Sequence, residues 1–469
     1  MTDPLHSPHH RAAIPLAPSL DPSLADAHMP TRLPVVDRRV VRLCAIAIVL
    51  GLGVGCIARA LTVLIGLVTN LVFYGRLDTA FTSPAGHHLG AWVILVPAAG
   101  GIVVGAMARW GARAIRGHGI PEAMEQVLTN ESRIPARMTW LKPLSSAIAI
   151  GTGGPFGAEG PIIATGGAVG SLLGQYMPVS ADERKTLLAA GAAAGMAAVF
   201  SAPVSAVLLS IELLLFERRA RSLLPVALAA AAGTGMRFVL EGAGPVFPMP
   251  TLSPVAPTAL VVYAALGLLM GVAGVVVTRL TYGIEDAFEK LPIHWMWWPA
   301  LGGLAVGAVG YVAPRTLGVG YDNITAVISG QLSLAAMAWL AVSKLASWSI
   351  ALGSGTSGGT LAPLFTIGGA IGGVAGMWLA QAAWLHVDPR MAALIGMAAL
   401  FAGASRALMT SAVFVFETTL QPHALLPLLA ACTTAYLVSG LMMRHTIMTE
   451  KIARRGVHVP TDFVADRPL

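Results

Sequence analysis

A single acidic residue, Glu159, stands inside a long apolar stretch and is the first candidate for chemistry. Between Pro143 and Ala181 it is the only Asp, Glu, Lys or Arg residue. A carboxylate at membrane depth costs about 3 kcal/mol on insertion scales, so a charged group in such a place is by default a candidate for function. Two roles are open for Glu159. It is either a proton-binding gate or one half of a structural ion pair whose cation the sequence does not identify.

Three glycine-rich breaks, one of which contains Glu159, each precede an apolar helix. The breaks are GHGIPE at 117–122, GAEGP at 157–161 and GTLAP at 359–363. Proline is favoured in the first turn of a helix, where backbone N–H groups have no intrahelical partner and the helix dipole is positive. Such a helix start binds anions. One break alone could be a simple kink, but three together favour an anion site.

The sign of the charge on Glu159 suits such a site. A carboxylate at a helix start can occupy the position that an anion would take. Protonation would remove the charge and release the side chain, so one residue would act as gate and proton carrier. Three converging helix starts would also hold an anion weakly enough for release, because none carries a full positive charge.

The elements that position these breaks are membrane helices. Of the 469 residues 55% are hydrophobic and 11% are charged, against about 25% charged in a soluble domain. Apolar runs recur from residue 44 to residue 443, and several exceed one crossing of about 20 residues or are cut by Gly or Pro. The sequence therefore predicts an all-α integral membrane protein with many tilted, broken and re-entrant helices. It excludes a soluble enzyme and an outer-membrane β-barrel, because the alternating strand pattern is absent.

An internal repeat indicates two related halves. Residues 151–174 align without a gap with residues 353–376, and residues 191–212 align with residues 396–417. The alignment places Glu159 over Leu361 and Glu212 over Glu417. Two such halves predict a pseudo-twofold axis with the site where the halves meet. The alternative is that glycine-rich packing helices resemble each other by chance.

The domain organisation follows from these patterns. The sequence predicts a membrane domain at 41–455, with halves at 41–245 and 255–443 and a C-terminal helix at 446–455. Residues 1–40 and 456–469 are predicted to be tails, the first of them disordered. Short Arg and Lys runs beside the first and last spans account for the net charge of +7. They favour cytoplasmic termini over nucleic-acid binding.

No metal or cofactor is predicted. The histidines of the N-terminal tail, His6, His9 and His10, are interpreted as part of a disordered segment rather than as a metal site.

The three breaks in combination resemble the signatures of the CLC chloride channels and proton-coupled chloride transporters. Residues 187–195, 318–322 and 414–418 add to the resemblance, which covers about residues 40–455. It implies a homodimer in the cell inner membrane, with two inverted halves and one pore per subunit for chloride, with or without protons. Glu159 matches the gating residue of the family. The positions matching its anion site are His118, Gly119, Ile120, Gly157, Ala158, Gly160, Thr360, Leu361 and Met448.

The chain departs from the family pattern at the ion-coordinating side chains. His118 stands where the family usually has Ser, Leu361 where it has Phe, and Met448 where it has Tyr. Methionine cannot donate a hydrogen bond, whereas histidine can donate and can become cationic. We therefore expect anion passage that increases at acid pH. The alternative for His118 is a histidine hydrogen-bonded to the backbone.

A further departure concerns proton coupling. Coupled transporters of this family carry an inner proton-relay Glu where this chain has Leu213. Glu212 is one residue away, roughly 100° around a helix, and is expected to share a structural role with Glu417. This predicts passive or loosely coupled passage of chloride or a similar small anion.

Other functions remain as alternatives. One is a proton-coupled exchanger of chloride or fluoride that uses His118 or another acid. An integral-membrane enzyme is disfavoured because the spans contain no catalytic pairs at protease-like spacing. A cation transporter is disfavoured because residues 345–387 contain no acidic residue.

Overall fold

The fold is described here from a computed structural model that covers residues 36–460. Residues 1–35 and 461–469 lie outside the described residues, and with them His6, His9, His10 and most of both predicted tails. The first helix begins at Arg38, because Asp37 caps it by accepting a hydrogen bond from the N–H of Val40 at 2.8 Å. The predicted start of the membrane domain, residue 41, lies in the first turn of this helix.

Each half contributes eight α-helices in the same order within the described residues. Those of the first half are α1 (Arg38–Tyr74), α2 (Leu95–Trp110), α3 (Ile120–Thr129), α4 (Met138–Gly151), α5 (Glu159–Tyr176), α6 (Ala181–Phe200), α7 (Pro203–Leu209, continued by a π-helical turn at Ser210–Leu215) and α8 (Ala220–Glu241). Those of the second half are α9 (Pro257–Glu289), α10 (Trp298–Val312), α11 (Tyr321–Ile328), α12 (Leu334–Gly353), α13 (Leu361–Leu379), α14 (Pro389–Ser405), α15 (Leu408–Thr419) and α16 (Leu425–Met442).

A short helix, α17 (Glu450–Arg454), follows the second half. It is shorter than the predicted helix at 446–455. The reason is that Thr446 and Thr449 form a local turn, in which the N–H of Thr446 donates to Thr449 Oγ1 at 2.9 Å.

Equivalent helices pack in equivalent ways. Helix α5 packs on α6 as α13 packs on α14, and α1 packs on α8 as α9 packs on α16. Glycines permit the closest of these contacts. A Cβ atom on Gly166 of α5 would lie 2.2 Å from the carbonyl oxygen of Gly191 of α6, and one on Gly368 of α13 would lie 2.4 Å from that of Gly396 of α14. The repeat in the sequence therefore corresponds to a repeat in helix packing, because small residues at equivalent positions let these membrane helices approach closely.

The helices have the lengths that a membrane fold requires. Within the described residues, seven are long and apolar enough to cross a bilayer: Arg38–Tyr74, Gly90–Trp110, Ala220–Glu241, Pro257–Glu289, Leu334–Gly353, Leu361–Leu379 and Pro422–Met442. Three others, α3, α7 and α11, have ten residues or fewer and cannot cross at 1.5 Å per residue. The prediction of an all-α membrane fold with broken and re-entrant helices is confirmed.

Candidate anion site

The three glycine-rich breaks meet at one place. The N–H of Gly359 donates to the carbonyl of Gly157 at 3.0 Å, and the N–H of Gly157 donates back to Gly359 at 3.4 Å. The first break joins them, because the N–H of Gly117 donates to the carbonyl of Thr356 at 3.2 Å. Two isolated β-bridges thus hold together segments about 200 residues apart in the chain. The starts of α5 and α13, one from each half, face this meeting point.

Close backbone approach explains two of the glycines. A Cβ atom on Gly160 would lie 2.0 Å from the carbonyl oxygen of His118 and 2.9 Å from the Cα atom of Gly359. Gly119 has a φ of +95°, and a Cβ there would lie 2.3 Å from the carbonyl oxygen of Gly160. Any side chain at these positions would push the helix starts apart, so the glycines keep the three breaks in contact.

Glu159 is the first residue of α5 and is completely buried. Its Oε1 atom accepts a hydrogen bond of 2.6 Å from the N–H of Ala362, in the first turn of α13. Its Oε2 atom is buried and has no hydrogen-bond partner within the described residues. The carboxylate therefore lies at the positive end of the opposite half's helix, where a negative charge is favoured. The contact is a backbone N–H rather than the cation of a structural ion pair.

Two further buried polar atoms in the breaks are unpaired. They are Nδ1 of His118 and Oγ1 of Thr360, and neither has a partner in the part of the chain that the structure describes. Buried polar groups are normally hydrogen-bonded. Together with Oε2 of Glu159, they leave unmet hydrogen-bonding capacity in all three breaks. The alternative that Nδ1 of His118 is bound to the backbone is not what the structure shows.

Two of the predicted donors are occupied by the protein itself. The N–H of Gly119 donates to Oε2 of Glu122 at 2.7 Å, within a capping box of α3. The N–H of Gly157 is used in the bridge to Gly359. With these N–H groups engaged, Gly119 and Gly157 have no free backbone donor in this structure, and their predicted contact with the anion stays a prediction. The N–H groups of Ile120, Leu361 and Gly160 lie in first helical turns, where no intrahelical partner exists.

The remaining predicted residues are apolar and buried. Ala158 is the N-cap of α5, and Leu361 is the first residue of α13; both are buried. Met448 is also fully buried, and its N–H donates to Oγ1 of Thr446 at 3.2 Å. Since its thioether has no hydrogen to donate, Met448 offers an anion no donor from either the backbone or the side chain. Its predicted contact with the anion would be apolar.

His118 also borders a cavity of about 490 Å³. Cations and carboxylates line this cavity together with two tryptophans, and they include Arg113, Arg116, Glu122, Glu285, Glu289, Lys451, Trp295 and Trp298. Lys451 pairs with Glu122 at 2.9 Å. Arg116 lies over the rings of Trp295 and Trp298 at 5.0 and 5.4 Å. The cavity thus brings charged side chains close to His118, beside the C-terminal helix α17.

Two buried lysines support the breaks, and the sequence interpretation missed both. Lys142 of α4 donates through Nζ to the carbonyls of Ile115 and Gly117, at 2.8 and 2.9 Å. Lys344 of α12 does the same for the second half. It donates to the carbonyls of Thr316 and Gly318, both at 3.0 Å. The sequence did contain a signal, because each lysine directly precedes a long stretch that has at most one charged residue. Lys142 and Lys344 also lie the same distance before Gly151 and Gly353, which are equivalent in the repeat.

The acidic residues Glu212 and Glu417 each cap the start of a helix in the opposite half. The carboxylate of Glu212 accepts hydrogen bonds from the N–H groups of Met409 and Thr410, at the start of α15. The carboxylate of Glu417 accepts from those of Val204 and Ser205, at the start of α7. These reciprocal caps give Glu212 and Glu417 the shared structural role that the sequence predicted. The adjacent Leu213 is 5% exposed and belongs to the apolar core.

Comparison with known proteins identifies the family of this chain. Residues 100–440 match the family model described as voltage gated chloride channel. This chain belongs to the CLC family. Among CLC relatives, the H(+)/Cl(−) exchange transporter ClcA of Vibrio vulnificus (strain YJ016) is 30% identical over 431 residues, which cover 85% of this chain and 91% of the relative. ClcA of Cronobacter sakazakii is 31% identical over 358 residues, or 72% of this chain and 75% of the relative.

Solved CLC structures share the fold. One described as a slow cyanobacterial Cl−/H+ antiporter has a TM-score of 0.78 at 24% identity, and the match covers 90% of this chain and 98% of that one. A CLC-type fluoride/proton antiporter has a TM-score of 0.69 at 21% identity, with 85% and 95% covered. The resemblance stated from the three breaks is confirmed at the level of family and fold.

Proposed function

We propose that this CLC chain carries chloride, or a similar small anion, across the cell inner membrane. Each subunit of a homodimer would hold one pathway, and both termini would lie in the cytoplasm. The observation that carries the proposal is the hydrogen bond between Oε1 of Glu159 and the N–H of Ala362. A carboxylate is itself an anion, and it occupies the start of a helix in the opposite half. Membership of a family of channels and transporters favours this function over an integral-membrane enzyme.

Protonation of Glu159 is the proposed gate. The neutral acid loses the charge that holds it to the start of α13, so the carboxyl group leaves and an anion takes its place. His118 acts on the inner side, where it borders the charged cavity. As an imidazolium it would attract an anion, and as a neutral ring it could still donate one hydrogen bond. Both effects increase anion passage as the pH falls.

Proton coupling is proposed to be weak or absent. Leu213, in the position of the family's inner relay, has no group that binds a proton. Glu212 does not substitute for that relay in this proposal, because its carboxylate is engaged by two N–H groups of α15. A proton that reaches Glu159 therefore has no acidic partner at this inner position.

The test is chloride efflux from liposomes that contain the purified full-length chain. A chloride electrode would follow the anion, and a pH-sensitive dye inside the vesicles would follow protons. We expect efflux that increases from neutral to mildly acid pH, with no uphill proton movement under a chloride gradient. Protein-free liposomes are the control. No passage of chloride, bromide, nitrate or fluoride at any pH would contradict the proposed function.

A proton-coupled exchanger is the second candidate, and one observation favours it. His118 has an unpaired Nδ1, and its cavity also contains Glu285 and Glu289, which offer an alternative proton route. The ClcA relatives are named as H(+)/Cl(−) exchange transporters, and one structural neighbour is a fluoride/proton antiporter. Uphill proton movement driven by a chloride or fluoride gradient would favour this candidate over passive passage.

A further inference from the structure

Helix α11 of the second half corresponds to α3 of the first half. The segment before α3 is held by Lys142, and the segment before α11 is held in the same way by Lys344. Each helix follows a glycine with a positive φ, +95° at Gly119 and +77° at Gly320. The first residue of α11, Tyr321, is thus the counterpart of Ile120, a residue of the candidate site. The second half therefore directs a fourth helix start toward the region where the breaks meet.

The hydroxyl of Tyr321 is buried and unpaired. It has no hydrogen-bond partner within the described residues, which is also true of Oε2 of Glu159. The hydroxyl lies near both the carboxyl group of Glu159 and the backbone of Ala158, but it forms no hydrogen bond of ordinary length and angle with either. An O–H donor and a carboxylate oxygen thus lie near one another, yet neither completes a hydrogen bond. Two such unpaired groups are costly in an apolar interior, so the arrangement indicates a function rather than a packing optimum.

The ring of Tyr321 has a fixed orientation. It stacks on Phe81 with the centroids 5.9 Å apart and the planes 21° apart. It meets Phe200 and Phe247 edge to face, at 5.8 Å in both cases. Because three aromatic neighbours hold the ring, the hydroxyl cannot turn toward another partner without repacking. The donor is therefore directed at the region of the Glu159 carboxylate before any anion arrives.

We propose that the Tyr321 hydroxyl binds the anion that replaces the Glu159 carboxylate and so contributes to selectivity in the outer half of the pathway. This inference rests on the proposed function, because it requires an anion to occupy that position. A neutral hydroxyl suits such a site, since it donates a hydrogen bond without holding the anion as tightly as a cation would. It also supplies a hydroxyl donor in a pathway where Met448 offers none. A direct donor favours a strongly hydrated anion such as chloride over a weakly hydrated one such as thiocyanate.

The test compares Tyr321→Phe with its parent in a Glu159→Ala background, which opens the position to anions. Isothermal titration of the purified full-length chain would measure chloride affinity. Liposome flux would measure the ratio of chloride to thiocyanate passage, which does not depend on the amount of folded protein. We expect chloride binding about tenfold weaker, as for the loss of a hydrogen bond to a charged group, and a lower chloride-to-thiocyanate ratio.

Tyr263→Phe in the same background is the matched control. Tyr263 is a buried tyrosine whose hydroxyl accepts a hydrogen bond from the N–H of Asp388 at 3.0 Å. We expect it to leave both quantities unchanged. Equal affinity and equal ratio for Tyr321→Phe and its parent would overturn the role of Tyr321 while leaving the proposed function intact. A parent and wild type that neither bind nor pass chloride would overturn the proposed function and this inference with it.

Discussion

The carboxylate of Glu159 and the backbone N–H of Ala362 are joined by a 2.6 Å hydrogen bond that links the two halves of the chain. Each group belongs to the first turn of a helix, α5 for Glu159 and α13 for Ala362. The bond places a negative charge at the positive end of the opposite helix. In the proposed mechanism, the side chain that closes the pathway also contributes to the contact between the halves.

Glu159→Gln is expected to abolish most of the pH dependence of anion flux. Glutamine has the shape of the protonated acid, so flux at neutral pH would rise several-fold toward the wild-type level at acid pH. Chloride efflux from liposomes measures this change. Glu241→Gln is a suitable control, because Glu241 pairs with Arg59 and Arg237 away from the breaks. A Glu159→Gln profile as steep as that of wild type would exclude Glu159 as the gate.

His118→Ser, made in the Glu159→Gln background, is expected to remove the remaining increase in flux at acid pH. In that background the gate no longer titrates, and His118 is the candidate group that gains a positive charge beside the pathway. Serine keeps a neutral hydrogen-bond donor, so flux at neutral pH should be retained. Burial lowers the pKa of His118 to about 4, so flux measured from neutral pH down to about pH 4 decides the matter. An unchanged profile would remove His118 from the mechanism.

Glu212→Gln and Glu417→Gln are expected to have matching effects, because each residue caps a helix of the opposite half. Loss of a charged cap lowers the free energy of unfolding by about 1 kcal/mol. Thermal unfolding in detergent should show a similar decrease in midpoint for both variants. Proton movement under a chloride gradient should not change in either. A change in proton movement for Glu212→Gln alone would mean that Glu212 relays protons.

Lys142→Met and Lys344→Met are each expected to lower the free energy of unfolding by about 2 kcal/mol. Each substitution leaves two buried carbonyl groups without their donor. Lys290→Met is the control, because Lys290 is exposed at the end of α9. Thermal unfolding of the detergent-purified chain measures the change. Equal midpoints for the Lys142, Lys344 and Lys290 variants would mean that the buried lysines do not stabilise the breaks.

The sequence was sufficient for the local features of the fold and the site. Glycine and proline mark helix starts by their own backbone chemistry, so the breaks at 117, 157 and 359 could be located without any tertiary information. The repeat was readable because the small residues that let α5 approach α6 recur in α13 and α14. The isolation of Glu159 in an apolar stretch was also a property of the sequence alone.

What depends on long-range contacts was not predictable in the same way. The bridge between Gly157 and Gly359 joins residues about 200 positions apart in the chain. It engages the N–H group of Gly157 in a hydrogen bond that the neighbouring sequence does not predict. The proximity of Tyr321 to Glu159 was equally unpredictable, because the sequence around each residue gives no sign that the two lie close together. The occupation of the Gly119 N–H by Glu122 was different, because a carboxylate three residues after a helix N-cap is a recognisable capping signal.

X-ray diffraction from bromide-soaked crystals tests the central claim most directly, because the anomalous signal of bromide locates the anion itself. The comparison is between wild type and Glu159→Ala. We predict a bromide peak within hydrogen-bond distance of the Ala362 N–H in Glu159→Ala, at the position that the carboxylate occupies in wild type. Bromide bound only at sites remote from the starts of α5 and α13, in a variant that still passes the anion, would contradict the account.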